Sequence, residues 1–455
     1  MPELSTSQTT RILVVGGGYV GLYTALRLQR RMRRQIRRGE VQITVVDPQS
    51  YMTYQPFLPE AAAGNLEPRH VVVPLRRVLN RCTILNGRVT RIDHAVRRAT
   101  VRLVGAEQAE DGERQVPYDK IVVAAGSISR TFPIPGLADL GVGFKTLGEA
   151  IYLRNHVLGQ MDIAASMANE PKARRRALTF VFVGGGFAGV EALAELEDMA
   201  RDACKWYPTI DPGDMRWILV EATGRILPEV GEEMGRWTVE ALRRRGIEVR
   251  LNTQLKSAEN CHIVLSDGDE FDAGTLAWTA GVKANPMVAD TDLPVDDKGR
   301  LKATAELTVE GVEDAYTAGD VAAVPDLTDP GRYCAPNAQH AVRQAARLGD
   351  NIVADLRGRA RTPYRHAYIG SVAGLGLHKG VANLYGIKIK GWPAWLIHRT
   401  YHLSRVPTFN RKARVTADWT LAMFFRREIV SMGEMYHARQ EFEVAAGRRE
   451  PARTR

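Results

Sequence analysis

The chain has 455 residues, of which 45% are hydrophobic and 25% are charged, and its formal net charge is +10. A chain of this size buries a substantial core and is expected to form two or three domains, which excludes a small disulfide-stapled scaffold. The basic excess is compatible with nucleic acid, anionic lipid or solubility alone. Because no aromatic residues interleave the arginine cluster at 30–38, we expect a solvated helix end there and no nucleic-acid partner.

The amino-terminal residues 1–10 are short and polar and lack the apolar core of a secretory signal. No window reaches about 18 uncharged apolar residues, so no transmembrane helix is predicted. The cysteines show no CxxC spacing, which argues against a dithiol centre or a metal site. They are Cys82, Cys204, Cys261 and Cys334. Any electron transfer is therefore expected to rely on bound cofactors.

The first predicted element is a strand at 11–15, followed by a glycine turn and a helix through 22–38. Gly16, Gly18 and Gly21 follow the GxGxxG pattern, in which the glycines make the tight turn, admit pyrophosphate and allow close helix packing. Asp47 ends the next run of β-formers and is placed to accept hydrogen bonds from ribose hydroxyls. The pattern predicts a dinucleotide-binding βαβ unit.

A second unit of the same kind follows a strand at 178–183. Its turn holds Gly184, Gly186 and Gly189, and Glu221 ends the following strand. The acids lie 26 residues after Gly21 and 32 after Gly189, beyond the usual gap of about 20, which we attribute to long helices. A strand-end acid can also merely cap a loop, but two complete patterns predict two dinucleotides. An acid at 221 would repel a 2′-phosphate, so NADH is expected over NADPH.

These elements predict an α/β protein with two Rossmann-like dinucleotide-binding domains, the second inserted in the first. The first domain is expected at 11–145, with a β-hairpin at 88–104, and returns at 286–363. The second is expected at 146–285. The remaining 364–455 form a C-terminal amphipathic helical region rich in aromatic and basic residues.

Two apolar stripes occur in this C-terminal region at helical spacing. The first contains Trp392, Trp395, Leu396 and Leu403, and the second Val415, Trp419, Ala422 and Phe425. Basic residues flank both stripes, namely Arg399, Arg405, Arg411, Lys412, Arg414, Arg426 and Arg427. Tryptophan beside Lys and Arg is typical of helices that bind a membrane surface. A dimer interface or ordinary core remains the alternative.

The paired fingerprints, together with segments 124–126 and 318–320, resemble the two-dinucleotide flavoprotein reductases, in which the first unit holds FAD and the second NAD(P)H. Over nearly its whole length the chain resembles the type II, non-proton-pumping NADH:quinone oxidoreductases. Segments 54–60, 189–191, 338–344 and 371–425 carry this likeness. The resemblance implies hydride transfer from NADH to FAD, followed by two-electron reduction of a membrane quinone.

The resemblance also implies a set of cofactor-binding residues. They are Gly16, Gly18, Gly21, Asp47, Gln55, Ala125, Gly126, Gly184, Gly186, Gly189, Glu221, Gly281, Gly319 and Asp320. Asp320 is expected at the flavin ribityl chain. The segment that contains Gln55 is expected against the isoalloxazine ring.

Three catalytic candidates follow from the same resemblance. Glu191 is expected beside the nicotinamide, where it would orient NADH or relay protons, although an acid in a first helical turn can simply complement the dipole. Gln339 is expected to border flavin and quinone. The family pattern places a second glutamine where this chain has Arg343, and a shift to Gln344 turns the side chain by about 100°, which puts that residue's role in doubt. Lys379 would stabilise a quinol oxyanion, unless it is an ordinary surface lysine.

We therefore expect a peripheral protein on the cytoplasmic side of the cell membrane, with a homodimer left open. Three rival functions remain. A sulfide:quinone reductase would need a working cysteine pair. A soluble NADH:acceptor reductase would lack lipid affinity. A redox-sensing interaction protein would bind FAD and NADH and turn over slowly.

Overall fold

The computed structural model describes residues 9–105, 112–366, 370–425, 427–433 and 443. The chain divides into two compact units. The first comprises Met1–Tyr54, Val72–Arg130 and Gly281–Ile369, and the second comprises Gln55–Val71, Thr131–Ala280 and Gly370–Arg455.

The helices of the described residues, in chain order, are α1 (Tyr19–Arg31), α2 (Arg33–Arg37), α3 (Leu58–Ala62), α4 (Leu75–Val78), α5 (Leu137–Leu140), α6 (Leu147–Ser166), α7 (Pro171–Ala177), α8 (Phe187–Ala203), α9 (Glu232–Arg243), α10 (Ala338–Asp355), α11 (Trp392–Arg405) and α12 (Phe409–Phe424). The strands are β1 (Thr10–Val15), β2 (Val41–Asp47), β3 (Tyr51–Thr53), β4 (Val72–Pro74), β5 (Thr83–Asp93), β6 (Arg98–Leu103), β7 (Glu113–Pro117), β8 (Lys120–Val123), β9 (Ser127–Ser129), β10 (Gly141–Gly143), β11 (Thr179–Val183), β12 (Arg216–Val220), β13 (Glu248–Arg250), β14 (Leu255–Ser257), β15 (His262–Leu265), β16 (Glu270–Asp272), β17 (Thr275–Trp278), β18 (Val282–Ala284), β19 (Leu301–Lys302), β20 (Ala315–Thr317), β21 (Ala322–Ala323), β22 (Gly370–Gly374), β23 (Gly380–Leu384) and β24 (Ile387–Lys390).

The first unit is built on a seven-stranded sheet in the order β20-β8-β1-β2-β5-β6-β7. The strands from β20 to β5 run parallel, and Val14 lies opposite both Val45 and Val122. Their runs of valine and isoleucine are buried, as expected for a parallel strand covered on both faces. The expected hairpin at 88–104 is present as β5 and β6, and β7 extends it to three antiparallel strands.

The second unit contains a five-stranded parallel sheet in the order β10-β17-β11-β12-β13. Strand β11 is buried along its whole length, and α8 follows it directly. Two three-stranded antiparallel sheets, β14-β15-β16 and β22-β23-β24, complete the unit together with α11 and α12. The predicted α/β class with two Rossmann-like sheets is thus confirmed.

The prediction of a single helix through 22–38 is wrong. Helix α1 ends at Arg31, Met32 leaves the helical conformation with φ −112° and ψ 22°, and α2 begins at Arg33. The break allows Met32 to bury its apolar side chain while the neighbouring Arg31 and Arg33 stay exposed. The expected solvated helix end is therefore present, in two pieces.

The excursion Gln55–Val71 belongs to the second unit, although its neighbours in sequence belong to the first. Its helix α3 packs against α6 and α8. Within the described residues no helix is both long and apolar enough to cross a membrane.

Candidate functional site

The first glycine turn has the geometry that its three glycines predict. Gly16 has φ +100°, and a Cβ there would collide with the Ala124 carbonyl. A Cβ on Gly21 would overlap the Gly16 carbonyl, so this position permits the close approach of α1 to β1. Gly18 has no described atom within 4 Å of a Cβ position, so its outer side is open.

Asp47 completes this turn by binding its backbone. Its Oδ2 accepts a hydrogen bond from the Gly17 N–H at 2.6 Å, and its Oδ1 accepts one from the Gln49 N–H at 2.6 Å. Burial raises the pKa of the Asp47 carboxyl, and the two backbone donors partly oppose this shift.

The second turn repeats this arrangement. Gly184 has φ +115° and lies against Thr279, a Cβ on Gly189 would overlap the Gly184 carbonyl, and Gly186 is open. The Glu221 Oε2 accepts from the Gly185 N–H at 2.6 Å, and its Oε1 accepts from the Thr223 N–H and hydroxyl. Each unit thus carries a turn whose second residue is bound by the acid that ends the next strand.

A polar cluster in the first unit includes the predicted Gly319 and Asp320. The Ser127 hydroxyl donates to the Asp320 Oδ2 at 2.6 Å, next to Gly126 with φ +67°. The Gly319 N–H donates to the Gln344 Oε1 at 2.8 Å. The structure thus brings together loop residues that lie far apart in sequence.

Two more of the predicted cofactor-binding residues lie in this unit. The Ala125 carbonyl accepts from the Asn285 side chain at 3.2 Å, and the Gly281 carbonyl accepts from the Arg130 N–H at 3.0 Å. Gln55 lies in the second unit, where its side chain donates to the Lys145 carbonyl at 3.1 Å.

Helix α10 presents its two glutamines in different surroundings. Gln344 is buried against the Gly319 backbone, whereas Gln339 is half-buried with its Oε1 3.3 Å from His366 Nε2. Arg343 donates to the Gln339 carbonyl at 2.9 Å. A separation of five residues turns a helix by about 140°, so the two side chains leave different faces of α10.

Glu191, in the second unit, is buried in the first turns of α8. Its Oε1 accepts from the Gly374 N–H at 2.7 Å and lies 3.1 Å from His398 Nε2. Burial acts to lower the pKa of His398, but the Glu191 carboxylate outweighs it and the pKa is raised. The ring centroids of His398 and His402 lie 4.6 Å apart, and burial lowers the pKa of His402 well below its ordinary value.

A second buried carboxylate in this unit, Glu60 on α3, lies in the segment 54–60 that was expected against the flavin ring, but was not singled out as a site residue. Its Oε2 accepts from Arg399 at 2.8 Å and from the Trp419 indole at 2.8 Å. The Arg399 guanidinium also lies over the rings of Trp395 and Trp419, at 4.2 and 4.9 Å. The expectation that Arg399 flanks a membrane stripe is wrong, because a buried carboxylate holds it inside the unit.

Lys379 lies beside Asp198, an acid on the same helix as Glu191. Its Nζ is 3.4 Å from Asp198 Oδ1, and the side chain is 46% exposed. Asp198 also accepts from the Leu377 N–H at 2.8 Å and from Arg427 at 3.3 Å. Arg427 is therefore buried and paired, against expectation, and Arg426 lies outside the described residues.

The predicted C-terminal stripes are only partly exposed. Val415 is buried and Trp395, Leu403 and Trp419 are half-buried, whereas Trp392 and Leu396 are exposed. The other exposed apolar residues of this segment are Phe409, Leu421, Met423, Phe424 and Phe425. Only the second stripe thus contributes to the core, through Val415, and the other described members of both stripes are half-buried or exposed.

Three of the cysteines are poor nucleophiles, because burial raises the pKa of Cys82 to about 12 and of Cys204 and Cys334 each to about 11. All four thiols are free. Within the described ranges, no group of three His, Cys, Asp or Glu side chains is placed to hold a metal ion.

Comparison with known proteins gives the family. A family model described as pyridine nucleotide-disulphide oxidoreductase matches residues 9–345. The type II NADH:quinone oxidoreductase of Staphylococcus haemolyticus is 30% identical over 386 residues, which cover 84% of this chain and 91% of that protein. The chain belongs to the type II NADH:quinone oxidoreductases. Another member, from Mycobacterium tuberculosis, is 27% identical and covers 94% of this chain and 90% of its own length.

Solved structures show that this member of the family has its fold. The structure of NDH2 from Plasmodium falciparum in complex with NADH has a TM-score of 0.84 at 18% identity, and covers 93% of this chain and 100% of that one. The sulfide:quinone oxidoreductase from Aquifex aeolicus has a TM-score of 0.66 at 16% identity, covering 92% and 96%.

The two turns fit the nucleotides of this family. Each offers an open second glycine, a helix N-terminus, and a carboxylate at the end of its second strand, which are the features with which this fold binds pyrophosphate and ribose. Sequence reasoning missed Glu60, His398 and also Glu195, a buried acid one turn beyond Glu191 on α8. The available signal was the pair Glu191 and Glu195, which lie four residues apart in the otherwise apolar run 190–196 of α8. Acids on a buried helix face are rare unless they are paired or functional.

Proposed function

We propose that the first glycine turn and Asp47 hold the adenosine diphosphate part of FAD, and that the second turn and Glu221 hold NADH. The protein passes electrons from NADH through FAD to a quinone. The observation that supports the residue assignment is the repeated bond from a strand-end carboxylate to the second residue of each turn. In this assignment residues 11–145 and 286–363 serve FAD, and residues 146–285 serve NADH.

FAD, when bound, accepts a hydride and passes two electrons on, and the protein positions its partners. Asp320 and Gly126 would face the ribityl chain, where Ser127 already orients the Asp320 carboxylate. Ala125, Gly281 and Gly319 would supply backbone next to the cofactors, and Gln55 would approach the flavin ring from its own segment.

Glu191 would orient NADH on the nicotinamide side or relay protons to reduced quinone, since it lies two residues beyond the last glycine of the NADH turn. Its ion pair with His398 keeps a proton close to the carboxylate. Gln339 would border flavin and quinone with its half-exposed amide. Lys379 would offer a cation to a developing quinol oxyanion from its partly exposed position.

Anaerobic stopped-flow spectroscopy tests this function. NADH should bleach the flavin absorbance rapidly and NADPH slowly, and a water-soluble quinone added afterwards should restore the colour. Glu191→Gln should slow flavin reduction or reoxidation by about 100-fold, the lower range for a proton-transfer group. Flavin that NADH does not reduce, or that quinone does not reoxidise, would refute the function.

We further propose that the exposed apolar end of α11 and α12 binds the membrane that contains the quinone. Trp392 and Leu396 project from α11, and Phe424 and Phe425 from the end of α12. Helices α11 and α12 also carry Arg405, Arg411, Lys412 and Arg414, and a basic residue near an anionic leaflet adds about 1 kcal/mol. A peripheral position on the cytoplasmic face would give the enzyme both NADH and quinone.

Vesicle co-sedimentation tests the membrane proposal. Trp392→Ser with Leu396→Ser should weaken binding to vesicles of phosphatidylcholine and phosphatidylglycerol at least tenfold, about 1.4 kcal/mol. Val96→Ser, at an exposed apolar position of the first unit, is the control. Binding that the double variant retains, or a double variant that instead changes from dimer to monomer, would assign this surface to another role.

A further inference from the structure

Helix α8 carries three ionisable acids on one face of the second unit. Glu191, Glu195 and Asp198 follow at i, i+4 and i+7, which places them on one side of a helix over about 10 Å. Asp198 pairs with Lys379, whose side chain is partly exposed, so Asp198 is the acid at the solvent end of this series. Glu191 and its partner His398 mark the buried end.

Glu195, in the middle of the run, differs from the acids around it. It is 3% exposed, and among the described residues its one hydrogen-bond partner is the Asn65 amide, which donates to Oε2 at 3.0 Å. No described cation lies within 4.0 Å of its carboxyl group. Glu60, by contrast, has Arg399 and the Trp419 indole. Asp198 has Lys379, Arg245 and Arg427.

An unpaired buried carboxylate is unfavourable, and the neutral acid is the form that suits this site. Burial raises the pKa of Glu195 to about 7, and the negative charges of Glu60 and Asp198 add to this. The positive charges of Arg427 and Arg399 oppose it. Because Oε2 accepts from Asn65, we assign the proton of the neutral acid to Oε1.

The charged groups around Glu195 come from several elements. Helix α3 contributes Glu60 and α8 itself contributes Asp198. Helix α8 also carries Glu191 one turn earlier, and α6, which packs against α8, carries the buried Arg154. Helix α11 contributes His398 and Arg399, and the segment after α12 contributes Arg427. Burial acts to raise the pKa of Asp198, but Arg245 and Lys379 lower it on balance, so the solvent end of the run stays ionised.

The reaction of this family requires one proton from water in each turnover. Reduction of a quinone to a quinol takes two electrons and two protons, whereas the hydride of NADH brings two electrons and one proton. The balance is NADH plus H⁺ plus quinone giving NAD⁺ plus quinol. A group that holds a proton inside the unit and is replenished from solvent meets this requirement.

We propose that Glu195 is the internal proton reservoir of the enzyme, which resupplies the Glu191–His398 pair and is itself refilled from the Asp198–Lys379 end of α8. It acts through Glu191 and is therefore a positioning residue for the proton rather than a catalytic one. This inference rests on the proposed role of Glu191.

The decisive variant is Glu195→Gln, which keeps an acceptor for Asn65 and removes the proton. Reduction of the flavin by NADH should proceed at the wild-type rate. Reoxidation by a water-soluble quinone should slow by about tenfold or more and lose its dependence on pH between about pH 6 and pH 8, as expected when a proton-transfer group is removed. Glu195→Asp should restore part of the reoxidation rate and part of its pH dependence.

Infrared spectroscopy supplies a reading that does not depend on turnover. The wild-type holoenzyme should show the C=O stretch of a protonated carboxylic acid that disappears as pH rises through neutrality. Glu195→Gln should lack it. Glu197→Gln is the matched control, because Glu197 is equally buried on α8 but paired with Arg201 and Arg245, and should keep it.

Three results would overturn the inference: an unchanged pH profile of quinone reduction in Glu195→Gln, an infrared band that survives in this variant, or equal slowing of both half-reactions without rescue by aspartate. Failure of the proposed function is separately visible, because wild-type flavin would then not be reoxidised by quinone at all. If the wild type reduces quinone normally and Glu195→Gln shows none of the expected changes, the reservoir proposal is rejected and the proposed function stands.

Discussion

Replacement of Arg399 tests whether the second unit depends on its buried ion pair. Arg399→Met keeps most of the apolar length of the side chain but leaves the Glu60 carboxylate with the Trp419 indole as its remaining donor. Removing one partner of a buried pair costs about 3–5 kcal/mol because the other charge stays buried. For a unit of about 250 residues this lowers the unfolding midpoint by about 10 °C.

A double-mutant cycle separates the charge from the packing. Glu60→Gln in the Arg399→Met background removes the stranded charge and still accepts from Trp419, so it should recover most of the loss. About 1 kcal/mol should stay lost, since the guanidinium no longer lies over two indole rings. The measurement is thermal unfolding of the holoenzyme, followed by tryptophan fluorescence.

An exposed pair in the same unit is the control. Arg236 and Glu232, whose side chains are 70% and 71% exposed, pair at 3.1 Å on α9, and Arg236→Met should cost less than about 0.5 kcal/mol. If the effects of Glu60→Gln and Arg399→Met simply added, the two side chains would not be coupled, and the reasoning from the buried pair would be refuted.

Three further variants follow from the site. Glu221→Gln should reduce the preference for NADH over NADPH about tenfold, the effect of about 1.4 kcal/mol, in steady-state kinetics; an unchanged ratio would remove Glu221 from the ribose. Gly189→Val should abolish NADH binding measured by fluorescence titration, because its side chain would overlap the Gly184 carbonyl, whereas Gly159→Ala, in open space on α6, should bind normally. The double variant Cys204→Ser and Cys334→Ser should keep full NADH:quinone turnover, and loss of turnover would favour a sulfide:quinone reductase instead. In the wild type, iodoacetamide should label these two thiols slowly below about pH 9, because their raised pKa values keep them protonated.

Local signals made the two nucleotide turns predictable. Each turn, its strand and its terminal acid lie within about 40 residues, and the requirement for glycine arises from contacts inside that stretch, such as Gly21 against Gly16. The parallel strands could be identified for the same reason, since runs such as 12–15 and 180–183 are apolar throughout.

The buried cluster of the second unit could not be predicted in this way. Arg399 and Glu60 are 339 residues apart, and nothing near Arg399 indicates that an acid will meet it. An arginine among tryptophans has the same local pattern whether it faces lipid or a buried carboxylate. The break at Met32 was missed because the surrounding residues all have good helix propensity, and burial of one side chain decided the outcome.

The bond from Glu221 to the Gly185 N–H gives one carboxylate two duties. It fixes the shape of the loop, and in our assignment it also discriminates between nucleotides. Evolution toward a phosphorylated nucleotide would therefore disturb the loop in the same step that removed the negative charge, and a cation added nearby would not restore the lost acceptor. Asp47 accepts from its own loop in the same way in the other unit, so under our assignment one carboxylate serves both the loop and the nucleotide at each of the two nucleotide sites.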